Sequence, residues 1–514
     1  MQNHLFRSLS ICLVLTSLTF CSAAEAARIP WSRLLKNASP WLKRHFQKGQ
    51  YVGLSVGIVH DQRLVWSRHL GISNLATGQL PNGRTLYRIG SITKVFTSSL
   101  MMELRDRKKL RLDDPIRKKI PRKWRVALPK DPRGDKEMTF RHLATHTSGL
   151  PRMPINLLPK GSDPYNHFSR KALYSALFRT PLKAPIGARV LYSNLGYGLL
   201  GQMLGLVGGK PYETLLQERI LRPLKMTSTT FTPNREQTKR VAQGYTLKRA
   251  HAPVWNFGAL NPAGGLLSSL EDMHRFLALQ HRAGTAYKRV LRGGSLTALH
   301  RVQRLLRRTG GRYFSAGVGL GWHTFPLMQG RFRMVMHNGA VSGFRSFVAF
   351  SPEWKVGVIV LANSDHSVDA LGTRLMTHLA VLLKRREQSR PSRRLKQIAR
   401  LLCARLRGKR IYRSTRNLFA ASFLKRVPWK TKLKPFLQKT LRNFGRCRRV
   451  RLLQGEGKVR GRWLLEHRKR RKKSYFQALL QIEPKAGGRL VGMLLKSTTL
   501  SKITTQKAPD PFQK

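Results

Sequence analysis

The sequence predicts an α/β fold: an antiparallel sheet flanked by helices, with an inserted all-helical subdomain, followed by a small basic α+β region. Three observations carry this. Strand-like runs stand near residues 51–72 and return only near residue 332. Helical periodicity and loops fill the interval. The runs at both ends are joined by short polar turns, the signature of antiparallel hairpins. The two halves of such a sheet have to meet in space.

In chain order, residues 1–26 read as a secretory signal peptide. Arg7 supplies the positive start, Leu9 to Phe20 the apolar stretch, and "AEA" at 24–26 the cleavage signal. The stretch is too short to span a bilayer. Cys21 sits in a lipoprotein-like setting, but bulky Phe20 stands where such a box needs a small residue, which argues against lipidation. The expected location is therefore periplasmic or secreted. Residues 27–384 have globular texture. "YVGLSVGIVH" and "RLVWSRHLGI", separated by "DQ", form a hairpin pattern. Residues 90–105 read as a helix with Val95, Leu100, Met101 and Leu104 on one side. "FRMVMHNG", "GFRSFVAFS" and "KVGVIVLAN" read as strands, the last two joined by a turn at "PEW". A helix over 367–384 closes this part. Residues 385–394 read as a polar linker. The basic region 395–514 opens on a helix with Leu395, Ile398, Leu402 and Leu406 at helical spacing and ends in strand-like runs.

Charge is the compositional outlier, with 98 Lys+Arg against 23 Asp+Glu and a formal net charge of +75 in 514 residues. Such a field attracts polyanions without regard to sequence. The excess covers the main part as well as the tail, which has few aromatic residues, so no specific nucleic-acid partner is expected. Two explanations of the charge stay open: attachment of the basic tail to anionic cell-surface polymers, and a bias of composition. The cysteines are Cys12, Cys21, Cys403 and Cys447. The first two leave with the leader, and Cys403 and Cys447 can pair in an oxidising compartment. Neither cysteine nor histidine spacing suggests a metal site, and no cofactor is implied.

Three short stretches bear chemistry. "RIGSITKVFTSSLMMEL", 88–104, carries Ser91 and Lys94 three apart at a helix start. That spacing puts both on one face, in the positive potential of the helix N-terminus. A partly buried ammonium there has its pKa lowered and can serve as a base for the hydroxyl. By itself the pair decides nothing: a second S-x-x-K, Ser422/Lys425, occurs, and about two are due by chance. "VLYSNLGYGLLG" holds Tyr192, able to relay a proton, and Asn194, able to hold an amide. "MVMHNGAVSGFRS" ends a strand with His337, Asn338 and Gly339. A glycine there lets substrate lie along the strand edge, and the N–H of Ala340 can join that of Ser91 as an oxyanion donor. Taken singly, each has an ordinary explanation: a helix cap, a turn before a packed helix, a strand-end histidine.

Their order is what distinguishes them. G-S-x-x-K, then Y-x-N, then H-x-G resembles the serine β-lactamase and penicillin-binding-protein superfamily, and most of all its class C β-lactamase and DD-peptidase branch. "RLDDPIRK", "MTFRHLATHTSGLP", "NPAGGLLSSLEDMHRFL" and "GVGLGW" are similar to further stretches of that branch, together spanning roughly residues 50–385. The resemblance implies an acyl-enzyme on Ser91. Lys94 and Tyr192 would share base and acid duty, and Asn194 would bind the substrate amide. His337 would help place a carboxylate or leaving group, and Ser91 and Ala340 would supply the oxyanion donors. H-x-G in place of K-T-G is associated with DD-peptidases, aminopeptidases and esterases more than with true β-lactamases. The implied activity is thus a DD-peptidase on peptidoglycan peptides, with a carboxylesterase or β-lactamase as alternatives on the same site. A catalytically silent wall- or surface-binding protein is the alternative of another class. His142, His146, Asp113 and Asp114 match the family pattern and read as loop packing and turn capping.

Overall fold

The computed structural model describes residues 31–49, 51–125, 128–134, 136–157, 163–165, 168–281, 290–307, 316–327, 332–388 and 393–405, isolated positions between 417 and 438, and four strands within 446–498. The leader with Cys21, and Ser422/Lys425, lie outside the described residues.

The main elements are α1 (Ala38–Lys48), β1 (Gly53–His60), β2 (Arg63–Gly71), α2 (Thr93–Asp106), α3 (Asn194–Gly208), α4 (Leu270–Gln280), β3 (Arg304–Arg307), β4 (Ala316–Val318), β5 (His323–Leu327), β6 (Phe332–Val341), β7 (Phe344–Ser351), β8 (Val356–Ala362) and α5 (Asp369–Gln388). Strands β1 to β8 form one antiparallel sheet in the order β2-β1-β8-β7-β6-β5-β4-β3. The two halves predicted from the sequence meet where β1 pairs with β8, Leu54 opposite Ala362 and Gly57 opposite Ile359.

Both faces of the sheet are covered, which is why β8 reads as an unbroken apolar run. Val356, Val358 and Val360 face the layer of α1 and α5, whereas Ile359 and Leu361 face the core built around α2 and α4. Helix α2 departs from the one-sided pattern expected of it. Every residue from Thr93 to Leu104 is buried, the hydroxyl-bearing face included. The small polar residues tolerate this because their hydroxyls are satisfied: Thr97 donates to the Pro262 carbonyl (2.7 Å), Ser99 to that of Val95 (2.7 Å), and Ser98 meets the Tyr197 hydroxyl (2.9 Å). Phe96 stacks on Phe276 of α4 at 3.8 Å between centroids, an aromatic contact worth roughly 1 kcal/mol beyond its buried area. The helix that begins at the Ser-Lys pair is thus held on all sides.

Strands β3 to β5 add to what the sequence predicts. They are only three to five residues long, and β3, "RLLR", carries arginine at both ends, so neither length nor alternation marks them. Beyond α5, helix α6 (Arg393–Arg405) packs against a four-stranded antiparallel meander, β9 (Arg446–Gly455), β10 (Arg460–Lys469), β11 (Lys472–Glu483) and β12 (Arg489–Thr498). Ile398, Leu402 and Cys403 form the buried face of α6. Cys403 is disulfide-bonded, and α6 packs along β9, the strand that carries Cys447. Among the described residues no helix is long and apolar enough to cross a membrane.

Candidate active site

Ser91 lies in a single 3-10 turn, Gly90–Ile92, that leads directly into α2. The turn starts from Gly90 at φ +49°, a left-handed backbone that glycine adopts without a Cβ penalty. A Cβ on Gly90 would also lie 2.9 Å from the Ala340 nitrogen, so the nucleophile turn and the end of β6 pack backbone to backbone. Gly339 makes the same approach from the other side. A Cβ there would fall 2.1 Å from the Ile89 carbonyl oxygen and 2.3 Å from Ser346 Oγ. Gly339 is accordingly buried, and its missing Cβ makes room for the nucleophile turn. The neighbouring Ala340 is exposed. Pairing of β5 with β6 stops at His323 opposite Met336, so among the described residues β6 from His337 to Val341 has no strand on its β5 side.

Lys94 is completely buried, and its Nζ lies 3.1 Å from Ser91 Oγ. The same nitrogen donates to the Ala263 carbonyl at 2.6 Å. Burial, helped by the positive charge of Arg152, pushes its pKa well below the usual lysine range. A neutral amine keeps one N–H on Ala263 and has its lone pair for the serine hydroxyl. Tyr192 is close enough to Ser91 to be influenced by it, and Lys94 Nζ is 4.9 Å from the Tyr192 ring centroid. Burial drives the Tyr192 pKa up to about 12, against smaller lowering effects from Ser91 and Arg152, so the phenol keeps its proton. The serine thus has a buried amine and a protonated phenol beside it, one suited to take a proton and the other to give one.

Asn194 starts α3, where Ser193 caps the helix by accepting from the Gly196 N–H at 2.8 Å. Its Nδ2 rests against Met153 Sδ at 3.2 Å, and its Oδ1 is buried without a partner among the described residues. The loop 146–153 is tied to this turn. The His146 carbonyl accepts from the Leu191 N–H (2.7 Å), His146 Nδ1 from the Ser193 N–H (3.1 Å), and the Arg152 carbonyl from the Asn194 N–H (2.8 Å).

His337 is buried; its Nδ1 donates to the Asn338 carbonyl at 2.6 Å, and Nε2 has no partner among the described residues. Burial and the neighbouring His323 and Lys94 hold its pKa well below the ordinary histidine value. In the substrate-free site burial therefore disfavours a positive charge on His337. His146 stacks near Tyr192 with ring centroids 4.4 Å apart and is held neutral by burial as well. The sequence assigns His146 to loop packing, and only the fold puts it on the wall of the site. The other three residues are structural as expected. Asp113 receives a bidentate hydrogen bond from Arg141 (2.7 Å each), Asp114 accepts from the Arg111 N–H (2.8 Å), and His142 completes a capping box with Thr139. No group of residues that could hold a metal exists among the described residues.

The buried histidines set an acid limit on stability. His281 and His323 are held at about 4, mainly by burial, and His146 and His337 lower than normal too. A folded-state pKa below the unfolded 6.5 means that the unfolded chain binds more protons in between, so stability is full above pH 6.5 and falls as pH drops toward 4. His281 alone should account for on the order of 3 kcal/mol across that window. Urea midpoints measured from pH 7.5 to 4.5 should fall steeply, and a His281→Gln variant should show a shallower fall. A flat profile for the native chain would show that these side chains take up protons without unfolding.

A sheet-and-helix body with a serine, a buried lysine and a tyrosine converging between sheet and helices defines a serine hydrolase. The chain belongs to the Beta-lactamase family, whose model matches residues 40–381. Among its relatives is the D-alanyl-D-alanine-carboxypeptidase/endopeptidase AmpH of Escherichia coli K12, 28% identical over 320 residues, covering 60% of this chain and 78% of the relative. Protein flp of Staphylococcus aureus MRSA252 is 26% identical over 349 residues, covering 66% of this chain and 65% of its own. Of solved structures, a β-lactamase/D-alanine carboxypeptidase from Yersinia pestis complexed with citrate superposes with a TM-score of 0.56 at 26% identity, covering 68% of this chain and 98% of that one. The octameric penicillin-binding protein homologue from Pyrococcus abyssi shares the fold at 23% identity and the same TM-score. It covers 90% of this chain and 96% of its own, and so reaches into the basic region. The chain is a serine hydrolase of the β-lactamase-related type.

Proposed function

We propose that this hydrolase is an exported DD-peptidase acting on the D-alanyl ends and cross-links of peptidoglycan peptides. The observation that carries the catalytic assignment is the fully buried Lys94 amine 3.1 Å from Ser91 Oγ. In acylation the Lys94 lone pair takes the serine proton as Oγ attacks the scissile carbonyl carbon. The resulting oxyanion accepts hydrogen bonds from the N–H groups of Ser91 and Ala340. As the C–N bond breaks, the Tyr192 phenol delivers a proton to the leaving amine, and the proton held by Lys94 restores the phenol. Water then enters, gives a proton to Lys94, attacks the ester, and releases the acid with Ser91 regenerated. Asn194 would hold the amide of the acyl portion.

The choice of peptide substrates is supported by the unpaired edge of β6 beside Ser91, against which an extended peptide can lie as an added strand. A relative that is a D-alanyl-D-alanine-carboxypeptidase/endopeptidase supports it from a second side. Export is supported by the leader pattern of residues 1–26. The N-terminus of the mature protein, read by sequencing, should be Ala27 or Glu25, and an intact Met1 would remove export from the proposal. Attachment of the basic tail to anionic wall polymers rests on its charge alone.

The test is a panel: muropeptides, a fluorescent penicillin and a nitrophenyl ester, each with the wild type and Ser91→Ala. Muropeptide trimming with a stable penicillin adduct is the expected result. Ester turnover without muropeptide trimming would make the protein an esterase, and rapid turnover of the penicillin a β-lactamase.

A further inference from the structure

Of the positive groups around Ser91, most are spoken for or discharged. Burial lowers the pKa of Lys94, His146, His323 and His337 and so disfavours their charged forms. Arg345 is paired with Asp365 at 2.6 Å. Arg88, half-buried, donates to the Trp255 carbonyl at 3.2 Å in the field of Asp163. Arg152 is different. It is exposed, its Cζ stands 5.3 Å from the Tyr192 ring centroid, and no carboxylate pairs with it among the described residues. Asp163, whose two oxygens accept the N–H groups of Tyr165 (3.0 Å) and Asn256 (2.8 Å), forms no ion pair with it.

An unpaired arginine means little by itself in a chain so poor in acids. Its mounting is what separates Arg152 from the solvated ones. Its carbonyl accepts the Asn194 N–H at 2.8 Å, which fixes its backbone to the Y-x-N turn. The next residue, Met153, touches Asn194 Nδ2, and Asn194 Oδ1 is buried there with no partner among the described residues. The Asn194 amide therefore has an unsatisfied acceptor at this turn, and the Arg152 guanidinium stands over the neighbouring Tyr192 ring. A planar fork held against an aromatic face is suited to bidentate capture of a carboxylate.

We propose that Arg152 is a specificity-determining residue that receives a carboxylate on the acyl portion of the substrate while that portion's amide meets Asn194. The proposal rests on Ser91 being the acylated residue, and it narrows the substrates from acyl compounds in general to acyl donors that carry an anionic group.

The test uses two thioesters of N-glutarylglycine, one with the free glutaryl carboxylate and one with that group as carboxamide. The strongly basic chain attracts any anion, so the quantity that decides is the change in the carboxylate-to-carboxamide ratio of kcat/KM between variants. Rates are read on the pH plateau at fixed salt. Arg152→Gln should lower the ratio roughly five- to tenfold. Arg152→Glu should lower it further, and Arg152→Lys should keep part of it. The acid limb of activity should also move to higher pH in Arg152→Gln, because the charge that lowers the Lys94 pKa is gone. An equal loss on both thioesters, or an unchanged ratio, would overturn the assignment. The dissociation constants of the corresponding glycinamides, carboxylate and carboxamide, measured by calorimetry on Ser91→Ala with and without Arg152→Gln, give the same ratio without turnover. If Ser91→Ala keeps full activity, the Ser91 reading fails, and the binding ratio still decides the role of Arg152.

Discussion

Ser91→Ala should lower turnover of every acyl substrate by about 10⁴-fold or more, while leaving the folded chain and its substrate affinity nearly intact. The side chain is only half-buried at the end of a helix that is otherwise enclosed, and Lys94 keeps its hydrogen bond to Ala263 when the hydroxyl is lost. What disappears is the atom that forms the covalent bond. Residual activity over water would come from the Ser91 and Ala340 N–H groups, which the substitution does not remove. Mass spectrometry after incubation with a penicillin should find an adduct on the wild type and none on the variant. An adduct of equal occupancy on Ser91→Ala would place the nucleophile elsewhere.

The second large effect belongs to Lys94. Lys94→Met fills nearly the same volume without a basic nitrogen and should cost about 10³-fold in kcat/KM. Lys94→Arg separates basicity from charge, because a guanidinium does not give up its proton in a protein. If Lys94 acts as the neutral base that its burial favours, the arginine variant should be as inactive as the methionine one. Appreciable activity in Lys94→Arg would mean that positive charge, not a lone pair, is what Ser91 needs. In the wild type the acid limb of kcat/KM should lie far below the ordinary lysine pKa, since activity needs the free amine and burial keeps it free. Combining Ser91→Ala with Lys94→Met should add little to either alone, because the two residues act as one unit.

Much of this was legible without coordinates. The hairpin of β1 and β2, the helix after Ser91, and the closing strands β6 to β8 have periodicities and turn residues that leave few alternatives. The spacing of Ser91 from Lys94 is a property of helix geometry and needs no tertiary contact to put both on one face. The order of Ser91, Tyr192 and His337 along the chain supplied the family. The short strands β3 to β5 were not legible, because three to five residues carry too little pattern. The burial of the hydroxyl face of α2 was also hidden, since the Pro262 and Tyr197 groups that cover it come from segments about 100 residues or more away in the chain.

The chemical identity of the candidate groups is written in the chain, and their protonation is not. A lysine, a tyrosine and a histidine were visible at positions 94, 192 and 337, but nothing local says that the neutral form of each is favoured. Those states follow from desolvation and from charges brought near by folding, and both depend on neighbours remote in sequence. Gly339 was likewise visible as a glycine, and only the approach of Ile89 shows that the missing Cβ makes room for the nucleophile turn. Arg152 is one of many arginines until the Asn194 N–H fastens its carbonyl and the Tyr192 ring lies beneath its guanidinium.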